Sequence, residues 1–409
     1  MNHLSSRLLL VLGSLASATV AAAESTPAAA PAAADATSSL SAPKGITVRA
    51  GYEVTVAVEK LDNARFMEFD DKGTLYVSRP NIGDVLTFRD TNNDGVYEPL
   101  GTFASGLKQV HGLCFSDGWM WMSQSSSIHK ARDTDGDGKA DETITVLKNL
   151  PGGNGHWWRS LLVTNDTIYT SVGDSGNISD ETNTDRQKIW RFALDGQRKT
   201  LFASGIRNTE KLRFRPGTTE LWGVDHGSDN FGGPLGEKPG NQPVTDLNPP
   251  CEFNKYEQDK FYGHPFITGN RVPRYEFMKR PDLLDLAART VAPEWSFGAH
   301  WAPNGFCFVD PAINDAKKQF PADHNGDAFV AFHGSWNRSD RAGYCIARVL
   351  FDDGRPYGLL KVVDGLPDPK GDAVRPVDCV MAPDGSVLFS SDQPGRVYRL
   401  RWIGTDEKK

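Results

Sequence analysis

Cysteine is scarce in this chain, five in 409 residues, and none stands in C-x-x-C spacing, which excludes a zinc ribbon and an iron–sulfur cluster. No C-x-x-C-H occurs either, so covalently attached haem is excluded. Runs of basic residues are missing as well. With 45 Lys and Arg against 52 Asp and Glu, a net charge of −7, the chain lacks the electrostatics of nucleic-acid binding, and DNA and RNA are excluded as partners. Long hydrophobic runs are absent beyond the first residues, and helical periodicity is confined to a window from Pro281 to Thr290, with Leu283, Leu284 and Leu286, read as a surface insertion. In an oxidising compartment one cysteine pair can bridge, and the odd count leaves at least one thiol free.

The opening residues have the shape of an export signal. Arg7 supplies the positive start, Leu8 to Val20 is mostly small and apolar, and Ala21-Ala22-Ala23 offers a small-residue cleavage site. Gly13, Ser14 and Ser17 break the apolar run, which falls short of the roughly 20 residues of a membrane-spanning helix, so no transmembrane segment is expected. A signal peptide over residues 1–23 predicts a periplasmic or secreted protein. Residues 24–43 are almost entirely Ala, Pro, Ser and Thr and read as a disordered linker, because they cannot bury enough apolar surface to offset ordering. The folded domain is expected over residues 44–404.

Glycine, 40 residues, and proline, 25 residues, punctuate the rest of the chain, between short runs of β-formers such as Thr74-Leu75-Tyr76-Val77 and Val387-Leu388-Phe389-Ser390. One phrase recurs: a polar residue leading a strand, a turn, then a second strand ending in small polar residues. It runs from Arg65 to Ser78, His111 to Ser123, Arg159 to Ser171, Arg207 to Val224, Trp301 to His333 and Arg375 to Ser391. The first four copies are about 45 residues apart, the period of propeller blades. The last two are spread by insertions near Phe231 to Glu294 and Pro311 to Asn325. An all-β, six-bladed β-propeller follows. Its leading residues, Arg65, His111, Arg159, Arg207 and Arg375, would converge on a mostly basic axis suited to an anion.

Two loops carry the alternating carboxylates of calcium sites. Asp133, Asp135 and Asp137 take positions one, three and five, Gly138 makes the turn at six, Lys139 offers its carbonyl at seven and Asp141 stands at nine. Asp90, Asn92 and Asp94 repeat the start of that pattern. Both loops are expected to fall between blades, where an ion would brace a turn. Elsewhere, Gly155-His156-Trp157-Trp158-Arg159 and Gly205-Ile206-Arg207-Asn208 set a candidate base and a candidate anion clamp at corresponding points of successive repeats.

His333-Gly334-Ser335-Trp336-Asn337-Arg338, Gly343-Tyr344, Gly205-Ile206-Arg207-Asn208, Arg375-Pro376-Val377-Asp378 and Ala382-Pro383-Asp384-Gly385 together resemble the sorbosone dehydrogenase group of pyrroloquinoline-quinone (PQQ) enzymes, relatives of the soluble quinoprotein glucose dehydrogenases. The similarity runs over most of residues 45 to 402, and the H-G-S-W-N-R string is its most discriminating part. The resemblance implies a PQQ- and Ca2+-dependent oxidoreductase acting on an aldose, a sugar-derived aldehyde or a polyol, with electrons leaving to an external acceptor, a quinone pool or a cytochrome. By position, His156 matches the general base that takes the substrate hydroxyl proton. Arg207 and Asn208 match the pair that contacts the cofactor, and Arg375 matches the first of two arginines of a last-blade motif. The second of those positions is Val377 here, and Arg338 is a candidate for the missing charge, with Trp336 and Asn337 on the same wall. His226-Gly227-Ser228-Asp229-Asn230 aligns with a loop whose carbonyls hold calcium, which makes Gly227 and Ser228 the ligands, while His300 is a weaker candidate for a pocket contact. Two other readings use the same fold: a calcium-dependent lactonase or hydrolase, and a non-catalytic binding module.

Overall fold

The computed structural model describes residues 42–153, 155–231 and 242–404. The expected signal peptide lies outside the described residues, as does the linker apart from Ala42 and Pro43. No helix among the described residues is long and apolar enough to cross a membrane.

Six sheets form a ring, each counted from its inner strand outward, antiparallel except where Lys260–Phe261 adds parallel to Thr200–Ser204 at the outer edge of blade 3. Blade 1 runs through Met67–Phe69, Leu75–Arg79, Asp84–Arg89 and Glu98–Ala104, and blade 2 through Leu113–Ser116, Trp119–Ser123, Ile128–Arg132 and Glu142–Leu147. Blade 3 starts at Leu162–Val163, blade 4 at Thr209–Phe214, blade 5 at Pro303–Phe308 and blade 6 at Pro376–Met381. Every inner strand thus begins one to three residues after the leader recognised in the sequence. The ring closes with a strand from the other end of the chain: Tyr52–Val58 pairs antiparallel with Gly395–Trp402 as the outermost strand of blade 6. Thr47–Val48 likewise adds to the outer edge of blade 5. Closure of this kind removes an exposed sheet edge that would otherwise be free to pair with another chain.

In four blades the small polar residue at or near the end of the second strand has a specific task. Ser78 Oγ donates to His111 O at 3.0 Å, Ser123 Oγ to Arg159 O at 2.8 Å, Ser171 Oγ to Thr209 O at 2.6 Å and Ser390 Oγ to Arg65 O at 2.5 Å. Blades 1, 2, 3 and 6 therefore each fix the entry to the inner strand of the next one. A buried carbonyl left without a donor would cost about 1–3 kcal/mol, so these contacts set the azimuth of the residues that face the axis. Between blades the sheets meet through apolar side chains. Trp222 and Phe253 of blade 4 pack on Phe306, Phe308 and Phe351 of blade 5 with ring centroids 5.1 to 6.3 Å apart, within the range of favourable edge and offset geometries.

Three details depart from the sequence reading. The acidic loops lie inside blades 1 and 2, joining the third strand to the fourth, and not between blades. The second loop still leans on its neighbour, since Thr87 Oγ1 donates to Gly138 O at 2.9 Å. The helical window appears as Leu283–Arg289, but a second helix, Pro311–Lys317, sits in the other insertion, with Asp310 capping Ala312 N, proline in its first turn and Lys318 left-handed at its end. The axis is also not mostly basic. Arg159 is fully buried and spends its guanidinium on the carbonyls of Pro151, His156 and Trp158. Deeper still, Lys211 is paired with Asp378 at 2.5 Å and Arg213 with Glu68 at 2.7 Å. All five cysteines are unpaired and buried.

Candidate active site

On the side of the ring where the inner strands begin, a cavity of about 240 Å³ gathers His156, Arg207, Asn208, Gly227, His300, Trp336 and Arg375, together with Arg65, Glu210, His226, Asp229 and His333. Of the residues singled out in the sequence, the first seven meet here.

His156 stands in the loop entering blade 3, at a point where the backbone leaves no room for adjustment. Gly155 has φ +74°, and a Cβ there would collide with the Ser175 carbonyl. A Cβ on Gly173 would come within 2.8 Å of His156 Cβ and 2.7 Å of Arg207 O. The backbone N–H of His156 donates to Asp174 O at 2.9 Å, and its Nδ1 lies 3.0 Å from the same oxygen. A carbonyl only accepts, so Nδ1 carries the proton and Nε2 is the basic atom. Burial first, then the Arg207 guanidinium and His226, push the imidazole well below its ordinary range. The ring is therefore neutral at physiological pH and available as a base.

Arg207 and Asn208 are positioned by a carboxylate behind them. Asp225 accepts from Arg207 N at 2.9 Å and from Asn208 N at 2.6 Å. Burial raises its carboxyl to about 6 in spite of these bonds. The Arg207 guanidinium spans Asn177 O, Asn177 Oδ1, Gly227 O and Asp229 Oδ2 at 2.8–3.0 Å. Its rigid fork thereby joins two loops, a geometry that lysine does not reproduce. Arg375 is held through Nε and Nη2 by His333, leaving Nη1 without a partner among the described residues. His333 in turn lies 3.0 Å from Asp392, and Asp392 is 3.0 Å from Arg65. Arg65 contacts Glu210 at 3.2 Å and stacks over Trp158 with its guanidinium carbon 4.3 Å from the ring centroid. Glu210 completes the arc by accepting from Asn208 Nδ2 at 3.0 Å. Burial lifts the Glu210 carboxyl to about 7 against the pull of Arg65. Beneath it lies His111, fully buried between Phe66 and Trp158, with neither ring nitrogen hydrogen-bonded.

Several expected residues lie elsewhere. Val377 is fully buried in the inner strand of blade 6. Arg338 does not stand in for it, because its guanidinium bonds the carbonyls of Asp246, Ala299 and Asp340. Asn337 bonds Asn230 at 3.3 Å and does not line the cavity. The third guanidinium facing the cavity belongs to Arg65, which the sequence marked only as a blade leader. Its acidic partners Glu210 and Asp392, and the tie from Arg375 to His333, carried no motif signal. Ser228 lines a neighbouring space of about 20 Å³ that it shares with Gly227, His264 and Arg274, where its Oγ accepts from Arg274; the oxygen expected to bind an ion is its main-chain carbonyl. Gly227 does face the cavity, and its carbonyl already accepts from Arg207 at 3.0 Å.

In the second acidic loop, Asp133, Asp135 and Asp141 bring carboxylate oxygens within 4.8 Å of one another. Asp137 instead faces Lys139 Nζ at 2.7 Å, so only three of the four predicted carboxylates converge. In the first loop Asp90 accepts from Asp94 N and Gly95 N, and Asn92 Nδ2 donates to Asp94 at 2.9 Å.

The TrAA12-like family model matches residues 46–402. An uncharacterized protein of Borreliella burgdorferi is 24% identical over 385 residues, 89% of this chain and 91% of that one. The iodide structure of a Trichoderma reesei carbohydrate-active enzyme of family AA12 superposes with a TM-score of 0.75 at 20% identity, covering 87% of this chain and 97% of the other. The holo form of the PQQ domain of Coprinopsis cinerea pyranose dehydrogenase gives 0.73 at 18% identity, with the same two coverages. At these identities the structural likeness shows a shared propeller fold.

Proposed function

The chain belongs to the TrAA12-like family, and from that premise we propose that it is a PQQ-dependent oxidoreductase acting on a sugar, a sugar-derived aldehyde or a polyol. The observation that carries this reading is the convergence, on one cavity, of a neutral histidine with a bare Nε2 and three guanidinium groups delivered by different blades.

The donor set suits a flat polyanion. Arg375 retains an unpartnered Nη1, Arg65 has a buried Nε without a partner, and Asn208 adds an uncharged amide. Among these, Arg65, Arg207, Asn208 and Arg375 would hold the cofactor, whose electron-poor quinone accepts the electron pair that leaves the substrate carbon. His156 takes the hydroxyl proton on Nε2 while Asp174 O keeps Nδ1–H in place. Because burial and Arg207 disfavour the imidazolium, His156 returns that proton readily. Trp336, 74% exposed at the rim of the cavity, offers an aromatic face to the substrate.

Calcium is proposed at two places. In the cavity, the Gly227 carbonyl and the Asp229 carboxylate, which accept from Arg207, would be the hard oxygen ligands, and an ion there would act as a Lewis acid on the cofactor. In blade 2, Asp133, Asp135 and Asp141 would brace the outer loop. Export to the periplasm or beyond, proposed from residues 1–23, fits electron delivery to an external acceptor. A hydrolase would need carboxylates converging on an axial ion, whereas Glu210 and Asp392 are both held by Arg65.

The test is reconstitution of apo-protein with PQQ and calcium, followed by a sugar and polyol panel with a dye as acceptor. Sugar-dependent dye reduction that requires PQQ is the expected result. Lactone hydrolysis indifferent to PQQ would overturn it.

A further inference from the structure

The insertion of residues 262 to 290 sends one side chain under the catalytic loops. His264 is 9% exposed, and its Nε2 lies 2.7 Å from Asp174 Oδ2. Its backbone N–H donates to Gly205 O at 2.9 Å, the first residue of the Gly-Ile-Arg-Asn segment. Asp174 N donates to Arg207 O at 2.9 Å. One residue therefore ties together the turn that holds the base and the loop that carries the cofactor arginine.

Asp174 is fully buried, and its carboxylate is a hub. Oδ1 accepts from Gly176 N at 2.6 Å, and Oδ2 accepts from Ser179 N at 3.0 Å, Gln187 Nε2 at 3.0 Å and His264 Nε2 at 2.7 Å. Burial alone would raise this carboxyl, but the bond from His264, followed by the others, holds it far below the usual carboxylate range. His264 is itself neutral, pushed down to about 4 by burial. It therefore acts as a plain Nε2–H donor. The carboxylate makes no bond to His156, which is held only through the Asp174 main-chain oxygen. The orientation of the base thus depends on how firmly Asp174 is pinned, and the shortest side-chain bond to its carboxylate comes from His264, at 2.7 Å against 3.0 Å from Gln187.

We infer that His264 is a positioning residue for the reaction, fixing through Asp174 the tautomer and direction of His156. This rests on the function proposed above for His156. A base displaced by about 1 Å costs on the order of 100-fold in rate, with no change in what the cavity binds.

The experiment compares wild type with His264→Gln, His264→Asn and His264→Ala. Glutamine carries its Nε2 the same number of bonds from Cα as the imidazole Nε2, whereas asparagine falls short of Asp174. Imidazole 1H–15N correlation spectra of the apo-proteins, with the His156 signals assigned by His156→Ala, report the tautomer without any turnover. Wild type and His264→Gln should show His156 with Nδ1 protonated, and His264→Asn and His264→Ala a mixture of tautomers. In reconstituted protein kcat should fall about ten- to hundredfold in the Asn and Ala variants and recover in Gln, with KM and the PQQ dissociation constant within about threefold of wild type. A His156 signal unchanged in both His264→Asn and His264→Ala would overturn the inference. A wild-type protein that reduces no dye with any sugar would overturn the proposed function instead, while the spectra would still decide the role of His264.

Discussion

Replacing His156 by alanine separates a catalytic role for this side chain from a structural one, because the two losses differ in size. On the structural side, the substitution removes one hydrogen bond, from Nδ1–H to Asp174 O at 3.0 Å. That oxygen keeps the backbone N–H of residue 156 as a donor at 2.9 Å. The expected cost to stability is therefore the net value of one such bond, about 0.5–1.5 kcal/mol. On the catalytic side, a positioned general base contributes roughly 10²- to 10⁴-fold, which at about 1.36 kcal/mol per factor of ten is about 2.7–5.4 kcal/mol of barrier. Steady-state dye reduction on reconstituted protein gives kcat, thermal melting gives stability, and titration with PQQ gives the dissociation constant. We expect kcat to drop at least 100-fold while PQQ affinity stays within about threefold. The lowered imidazole pKa adds a second readout. Since the base works in its neutral form and the fold depresses its pKa below 6.5, wild-type kcat should hold steady as pH falls from 8 to 6 and decline only below that. A variant with wild-type kcat would refute the base assignment, as would a wild-type acid limb centred above pH 7.

Gly155→Ala should lower kcat while leaving PQQ affinity nearly intact, because the left-handed backbone, about 1–3 kcal/mol of strain for a non-glycine residue, and the collision with the Ser175 carbonyl move His156; unchanged kcat would count against that tight fit. Arg207→Lys should raise the PQQ dissociation constant by about tenfold or more, measured by titration, since an ammonium does not span Asn177, Gly227 and Asp229 together. Glu210 has a folded pKa raised to about 7, so its stabilising contribution is fully present below the unfolded carboxyl pKa and is lost as pH rises through about 7. Glu210→Gln should accordingly flatten the fall in Tm between pH 5 and 8, read by melting across that range. Calcium should raise Tm of the apo-protein, by about 2.7 kcal/mol of stabilisation at 100 times Kd, and Asp135→Ala should shrink that rise.

The architecture was legible because its signal is periodic. Arg65, His111, Arg159 and Arg207 mark four inner strands through a spacing that each blade repeats, and the serines ending the second strands are visible in the same phrase. His156, Arg207, Asn208 and Arg375 were legible because they stand at these repeated points or inside a recognisable string. What escaped the sequence was decided by tertiary contacts that neither period nor motif specifies. Arg338 lies in the same string as Trp336, yet a local carbonyl cluster claims its guanidinium. Ser228 follows Gly227 directly, but it lines only the smaller neighbouring space, whereas Gly227 lines both. His264 sits in an insertion without period, where no neighbouring residue hints at Asp174, 90 positions earlier.

Sequence by itself determined a ring of six sheets, the acidic pattern of two loops, and the candidates His156, Arg207 and Arg375 that the ring gathers on one cavity, since spacing and turn chemistry are local properties of a chain. Tertiary structure alone decided which of the blade leaders keeps its guanidinium on the cavity, Arg65 and not Arg159, its partners Glu210 and Asp392, and the clamp from His264 to Asp174. Those are pairings between charges and dipoles brought to 2.7–3.2 Å from separate parts of the chain, and their strength comes from burial, which exists only once the ring has closed.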